Sequence, residues 1–301
     1  MSLLVTGTIG IDTVKTPFGV SEDCLGGSAV YFSMSASYFS PVRFVGVIGD
    51  DCPFDLAGIF KGRDVDLEGL ETRRGSKTFV WHGAYHDSMN EAVTNRTDLN
   101  VIAEAPPKVP DSFKDSRFVF LANTAPALQM ELLGQVSDPD FVAADTMNLW
   151  IETAVDDLKK LLTKIDMLVL NDGEARLLTE QSNIVTASRQ ILEMGPKFVV
   201  IKKGEYGSMV CDKDGHTFIA PAFPTDKVVD PTGAGDSFAG AMMGYMAKMQ
   251  STEFATIRKA VVYGTVASSF TIGDFSINGI GNANTDLIEE RFIRIRDITQ
   301  F

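Results

Sequence analysis

The stretch DPTGAGDSFAGAMMGYMAKM (230–249) places two glycines, Gly233 and Gly235, and a carboxylate, Asp236, where a helix is about to begin. Within 237–248, Phe238, Met242 and Tyr245 share one helical face, and Ala239, Gly240, Ala241 and Gly244 are small enough to let neighbours approach. The first amides of a helix lack intrahelical partners and sit at the positive end of its dipole, so they attract an anion. Glycine removes the β-carbon that would hold a phosphate off. A carboxylate in the same turn opposes phosphate binding, which suits Asp236 better to the work of a base than to that of a cap. Amides of Gly233, Ala234 and Gly235 cradling a transferring group, with Asp236 taking the proton of an attacking hydroxyl, would amount to phosphoryl transfer. A glycine-rich helix start with Asp236 as a plain N-terminal charge accounts for the same residues equally well.

Other stretches carry weaker signals. NDGE (171–174) follows the apolar run MLVL and is by type an ordinary strand-to-helix turn. In KKGEYGSMV (202–210), Gly204 and Gly207 suit either close backbone approach to a ligand or a hairpin turn. Lys202 and Lys203 add positive charge at a strand end, where solvation is the commoner outcome. His82 and His86 lie on one face of a strand-like run about 13 Å apart, too far for a shared zinc ion. Neither GxxxxGK[ST] nor a GxGxxG after the first strand is present, which disfavours P-loop kinases and dinucleotide oxidoreductases.

These residues need a scaffold. Apolar runs at 3–9, 42–48, 117–122, 141–145, 167–170 and 198–203 read as strands, and helical patterns at 28–38, 128–136, 151–164 and 184–194 lie between most of them. Strand then helix, repeated, predicts an α/β fold with helices on both faces of a parallel sheet, binding ligands at the carboxyl ends of its strands. Residues 65–102 break the rhythm. There SKTFVWHGAYH (76–86) alternates as exposed antiparallel strands do, and it predicts a small β appendage joined by 11–20 that covers a site. A β-excursion with no moving role fits the same pattern. EAPPKVPDS (104–112) returns the chain to the core.

The 301 residues are 45% hydrophobic, enough for a large buried core. A net charge of −13 repels nucleic acid and anionic lipid. No window approaches the roughly eighteen apolar residues of a membrane span, and 1–11 run into a strand rather than a secretory leader. Cys24, Cys52 and Cys211 are scattered, which suggests neither disulfides nor a metal site and fits a reducing cytoplasm.

DPTGAGDSFAGA together with GGSAVYFSMSASYFSPVRFVGVIGDD (26–51) resembles the two signature regions of the ribokinase-like (pfkB-type) carbohydrate and nucleoside kinase family. GTIGIDTV (7–14), NDGE and KKGEYGSMV resemble further motifs of that family, in the family's order. The resemblance implies a Rossmann-like three-layer sandwich with a mainly parallel sheet, one kinase domain over 1–301, and a β-sheet lid formed by about 11–20 and 70–102. It implies Asp236 as catalytic base, the amides of Gly233, Ala234 and Gly235 as anion hole, Asn171, Lys202, Gly204 and Gly207 on the nucleotide, and Glu174 near Mg2+. On the acceptor side it implies Asp12 for sugar hydroxyls, with Gly26 and Gly27 letting the sugar lie against backbone. Asp145, Asn148 and Trp150 resemble a supporting segment.

Two departures bear on the substrate: Tyr31 stands where ribose kinases have a sugar-contacting asparagine, and Thr124 where they have a glutamate. Both speak against ribose itself, whereas GGS (26–28) and ASSFTIGDF (267–275) resemble relatives that phosphorylate nucleosides or other sugars, and Tyr31, Trp81 or Phe18 could stack on a larger acceptor. The implied activity is ATP-dependent transfer of a γ-phosphoryl group to a hydroxymethyl group of a sugar or ribonucleoside. Its cofactors are ATP and Mg2+, with a monovalent cation such as K+ as a further candidate. A non-catalytic sugar- or nucleoside-sensing protein on the same scaffold is the alternative, against which the intact GAGD and NDGE runs speak. An exposed strand edge on the lid would favour a homodimer through it.

Overall fold

Strands whose alternate residues are all apolar must be covered on both faces, and here they are. A computed structural model describes residues 2–86 and 89–300; Asp87 and Ser88 of the expected lid lie outside them. The large sheet contains β1 (Leu3–Thr6), β4 (Val42–Gly49), β5 (Val65–Arg73), β8 (Phe118–Leu121), β9 (Phe141–Asp145), β10 (Met167–Asn171), β11 (Phe198–Lys202), β12 (Ser208–Asp212) and β13 (Thr217–Ala220). Its order is β13-β12-β11-β10-β9-β8-β1-β4-β5. The strands from β11 to β5 run parallel, and β12 and β13 close one edge antiparallel.

Leu3, Val5, Phe118, Phe120, Ala143 and Val169 face one helical layer, built from α1 (Ser28–Ala36), α8 (Ala234–Met249), α9 (Phe254–Thr271), α10 (Asn278–Gly281) and α11 (Thr285–Thr299). Leu4, Val119, Leu121, Ala144 and Leu168 face the other, which includes α3 (Pro126–Leu133), α4 (Asn148–Thr153), α5 (Val155–Leu162), α6 (Asp172–Thr179) and α7 (Ile184–Glu193). The result is the expected three-layer α/β architecture. In α8, a β-carbon on Gly240 would stand 2.2 Å from the Phe32 carbonyl oxygen, so the missing side chain is what lets α8 lie against α1.

The second sheet, in the order β3-β2-β6-β7, contains β2 (Gly10–Thr16), β3 (Gly19–Gly26), β6 (Phe79–Tyr85) and β7 (Ala92–Asp98). The boundaries expected for the appendage need correcting. Residues 70–73 belong to β5, because the crossover through α2 (Leu56–Ile59) returns the chain parallel to β4, whereas 21–26 join the small sheet through β3. The β2–β6 pair is parallel, so the expected antiparallel pairing holds only for β2–β3 and β6–β7. The helix expected over 151–164 is two helices, broken at Ala154, whose φ of −140° and ψ of 34° leave the helical region.

Candidate active site

Helix α8 starts at the carboxyl edge of the large sheet. Its N-cap, Gly233, has φ 73°, a left-handed conformation that costs glycine little, and no side chain caps the helix. A β-carbon there would fall 2.3 Å from Cγ of Tyr31, so this glycine also accommodates the Tyr31 ring. The expected cradle of amides is smaller than three. The Ala234 N–H donates to the Pro231 carbonyl oxygen at 3.1 Å, because the chain turns tightly from Pro231 into the helix. The amides of Gly233 and Gly235 have no partner among the described residues.

Asp236 stands in the first turn of α8, half-buried. Burial pushes its carboxyl up from 3.8 to about 6, against the opposing pull of the Lys202 ammonium and of its own backbone N–H. Lys202 ends β11 and pairs in register with Asn171 at the end of β10. Its Nζ lies 2.6 Å from the position a Gly235 β-carbon would take, beside the open amide. Asp145, at the end of β9, is 5% exposed, and burial followed by Asp236 holds its carboxyl well above the usual range, with Lys202 opposing. Glu174 is raised for the same first reason, again with Lys202 opposing.

Asn171 and Glu174 are joined in a capping box. The Asn171 side-chain oxygen accepts from the Glu174 N–H at 2.7 Å, and Glu174 Oε2 accepts from the Asn171 N–H at 2.7 Å. The turn is therefore a built helix start, and whatever else Glu174 holds must use its remaining oxygen. Gly204 and Gly207 form the turn between β11 and β12; Gly207 has φ 80°, and its β-carbon would stand 2.0 Å from the Ala220 carbonyl oxygen. Together with Asn171, Lys202, Ala234 and Gly235, this turn lines a cleft of about 750 Å³ whose far walls are Phe223–Val228 and the Thr265–Ile272 end of α9. The Phe223–Val228 wall carries no motif and was not expected from the sequence, whereas the Thr265–Ile272 wall overlaps the ASSFTIGDF segment.

On the other side of Asp236, Asp12 projects from β2 with 4% exposure. Burial first, then Asp230 and Asp236, push its carboxyl up to about 8. Among the described residues Asp12 Oδ1 has no hydrogen-bond partner, and the same is true of Asp230 Oδ2 and Thr124 Oγ1, all buried. Gly26 faces Asp12, since a β-carbon there would lie 1.8 Å from Oδ2, and a β-carbon on Gly27 would lie 2.4 Å from the Thr8 carbonyl oxygen. The missing side chains thus let Asp12 and the chain at Thr8 come close to the backbone of Gly26 and Gly27. Tyr31, 2% exposed and facing Gly233, is a wall of this region and not a free stacking surface. Thr124 follows β8, beside β1 in the sheet. Asp230, the first residue of the DPTGAGD run, is 1% exposed and accepts from the Thr232 N–H at 2.9 Å, and its burial is what marks it as a site residue.

The small sheet reaches the same place. Thr232 Oγ1 donates to the Tyr85 hydroxyl at 3.4 Å, Asn90 Nδ2 donates to Glu205 Oε1 at 3.4 Å, and Phe18 lines the cleft. No described helix is long and apolar enough to cross a membrane.

A family description, "pfkB family carbohydrate kinase", matches residues 26–279. The cytidine kinase of Thermococcus kodakarensis is 27% identical over 250 residues, covering 81% of this chain and 88% of its own. The nucleoside kinase of Burkholderia thailandensis, solved with inosine, superposes with a TM-score of 0.78 at 17% identity over 97% of this chain and 98% of that one. An E. coli protein described as a ribokinase II, solved with ATP and Mg2+, superposes with a TM-score of 0.75 at 18% identity over 97% and 99%. The extent of the family match and the spread of these relatives agree with the chemistry read from the site: this chain belongs to the pfkB family of carbohydrate kinases and is a phosphotransferase of the sugar and nucleoside kinase class.

Proposed function

We propose that the protein transfers the γ-phosphoryl group of ATP to a hydroxymethyl group of a sugar or ribonucleoside, with Asp236 as base. One observation carries the reading: a carboxylate raised to about 6 stands in the same turn as an open helix-start amide at Gly235, between a cleft and a set of buried acceptors. A base with a pKa close to the working pH is both ionised and able to take a proton. Asp12, with an unpartnered oxygen, would hold acceptor hydroxyls, and an analogue without them would leave that carboxylate unpaired. Asp230 and Thr124 offer further unpartnered oxygens to the same acceptor. Gly233 and Gly235 would receive the phosphoryl oxygens, and Asn171, Gly204 and Gly207 would border the nucleotide.

The donor set suits Mg2+. Glu174 is a buried carboxylate with one oxygen engaged by the Asn171 N–H, which leaves one for the ion or its water, and Mg2+ takes its other ligands from phosphate and water. When bound, it would neutralise charge on the phosphates. The small sheet, through Tyr85 and Asn90, would act as a lid that excludes water from the transfer. The relatives that bear the names cytidine kinase and nucleoside kinase support a nucleoside acceptor, and the deviation at Tyr31 from ribose kinases points the same way.

The test is ADP release from ATP over a panel of cytidine, inosine, ribose and fructose. One acceptor should stimulate release, and Asp236→Asn should lower kcat by about 10²–10⁴ while ATP still binds. Near-normal transfer by that variant would remove the base assignment.

A further inference from the structure

By residue type Lys202 is an ordinary charged strand end, and the family resemblance implies only a place on the nucleotide. Its ammonium stands at the open start of α8, 2.6 Å from where a β-carbon on Gly235 would lie. Three acids, Asp145, Asp236 and Glu174, feel its field from β9, α8 and α6. Among the described residues, none of them nor any other carboxylate comes within 4.0 Å of it. A lysine kept for stability in such company would close onto one of these acids, as Lys197 does onto Asp166 at 2.8 Å. Lys202 stands off all three and lines the cleft instead. An unpaired cation beside an unpaired amide is a position for a doubly charged oxygen-rich group.

We infer that Lys202 is a catalytic residue that contacts the transferring γ-phosphoryl group. The inference rests on the phosphoryl-transfer reading. In the step, the bond from the γ-phosphorus to its bridging oxygen breaks and that electron pair leaves with ADP. The acceptor oxygen forms the new bond to phosphorus, and its proton passes to Asp236. Negative charge on the phosphoryl oxygens is then met by the Lys202 ammonium and the Gly235 N–H, fixed donors that need no reorganisation. The groups facing Asp236 are Lys202 from β11, Asp145 from β9, Glu174 from α6, Asp12 from β2, and the Tyr31 and Tyr85 side chains from α1 and β6. Lys202 is the only cation among them, so its removal leaves Asp236 surrounded by acids and phenols.

The experiment compares Lys202→Met and Lys202→Arg with the wild type in the full chain, using the acceptor that the panel identifies. Lys202→Met should lower kcat by about 10²–10³, change KM for ATP by less than roughly tenfold, and move the acid limb of the kcat profile up from near pH 6. Lys202→Arg keeps the charge and should return that limb toward 6, which a packing role would not do. Calorimetry with ADP and aluminium fluoride in the presence of Mg2+ gives a readout without turnover: Lys202→Met should weaken this phosphoryl mimic at least tenfold more than it weakens ATP. Unchanged kcat with a raised KM for ATP, or equal weakening of mimic and ATP, would reduce Lys202 to a nucleotide contact and overturn the inference. Failure of every acceptor in the wild type would instead strike the proposed function, while the calorimetry would still decide where Lys202 acts.

Discussion

Asp12 makes the free protein less stable, and the size of that effect can be worked out. Its carboxyl is pushed from 3.8 to about 8 by burial, then by Asp230 and Asp236. In the unfolded chain the group loses its proton near pH 4; in the folded protein it keeps it until about pH 8. Between those limits the folded state binds more protons, so stability falls as pH rises and levels off above 8. Each pH unit inside the window costs about 1.4 kcal/mol, so the step from pH 5 to pH 8 removes about 3–4 kcal/mol. Asp12→Asn keeps the shape and removes the titration. Urea denaturation at both pH values should find the variant close to wild type at pH 5 and more stable by about 3–4 kcal/mol at pH 8. A difference between the two proteins that stays constant across this range would refute the burial account of Asp12.

The same titration bears on acceptor binding. An ionised carboxylate accepts from two hydroxyls with both oxygens, whereas the protonated acid turns one oxygen into a donor and holds them more weakly, so KM for the acceptor should fall from pH 6 toward 8, by at most roughly tenfold per unit, and then level off; a flat profile would mean that Asp12 does not receive them. Glu174→Gln should keep the capping box, since glutamine can accept from the Asn171 N–H, and should leave the melting temperature nearly unchanged while raising the Mg2+ needed for half-maximal rate about tenfold or more. Glu174→Ala should lose about 0.5–2 kcal/mol of stability as well, measured by the same melt. Combining Tyr85→Phe with Asn90→Ala removes both polar ties between the small sheet and the cleft. ADP release without acceptor should then rise relative to transfer, whereas an unchanged ratio would show that the sheet does not exclude water.

What the sequence made legible is what depends on neighbouring residues. The start of α8 is a matter of glycines, an acid and a helical run that follow one another, and the helix begins at Ala234. The strands of the large sheet, apolar throughout, were readable for the same reason. The Pro231–Ala234 bond that occupies one cradle amide depends on turn geometry that residue types alone do not fix. Val65–Arg73 and Phe79–Tyr85 are both mixed, half-exposed runs, and only the crossover through α2 sends the first to the large sheet. Residue types alone read Lys202 as a solvated strand end, because nothing local says that α8 begins beside it; only the family resemblance implied a nucleotide contact. The wall at Phe223–Val228 is brought to the site by the chain before α8, with no motif of its own, and the burial of Asp230 is likewise a product of packing that residue types do not show.

The charges in the site are unevenly divided, and the division fits the direction of the proposed transfer. Asp12 and Asp230 lie on one side with unpartnered buried oxygens, and each would be less costly to bury as an amide. Lys202 and the amides of Gly233 and Gly235 lie on the other, where a net charge of −13 over the chain would otherwise turn phosphate away. Asp236 stands where the two sides meet, in the electrostatic reach of both Asp12 and Lys202. A hydroxyl drawn to the acidic side and a phosphoryl group drawn to the cationic side can therefore meet only next to this carboxylate. Its proton affinity is set by its surroundings: burial keeps it high enough to take a proton, and the ammonium keeps it low enough to be empty when the hydroxyl arrives. Removing the ammonium would shift that balance upward, which is why the pH profile, more than the rate alone, reports whether the site works as a unit.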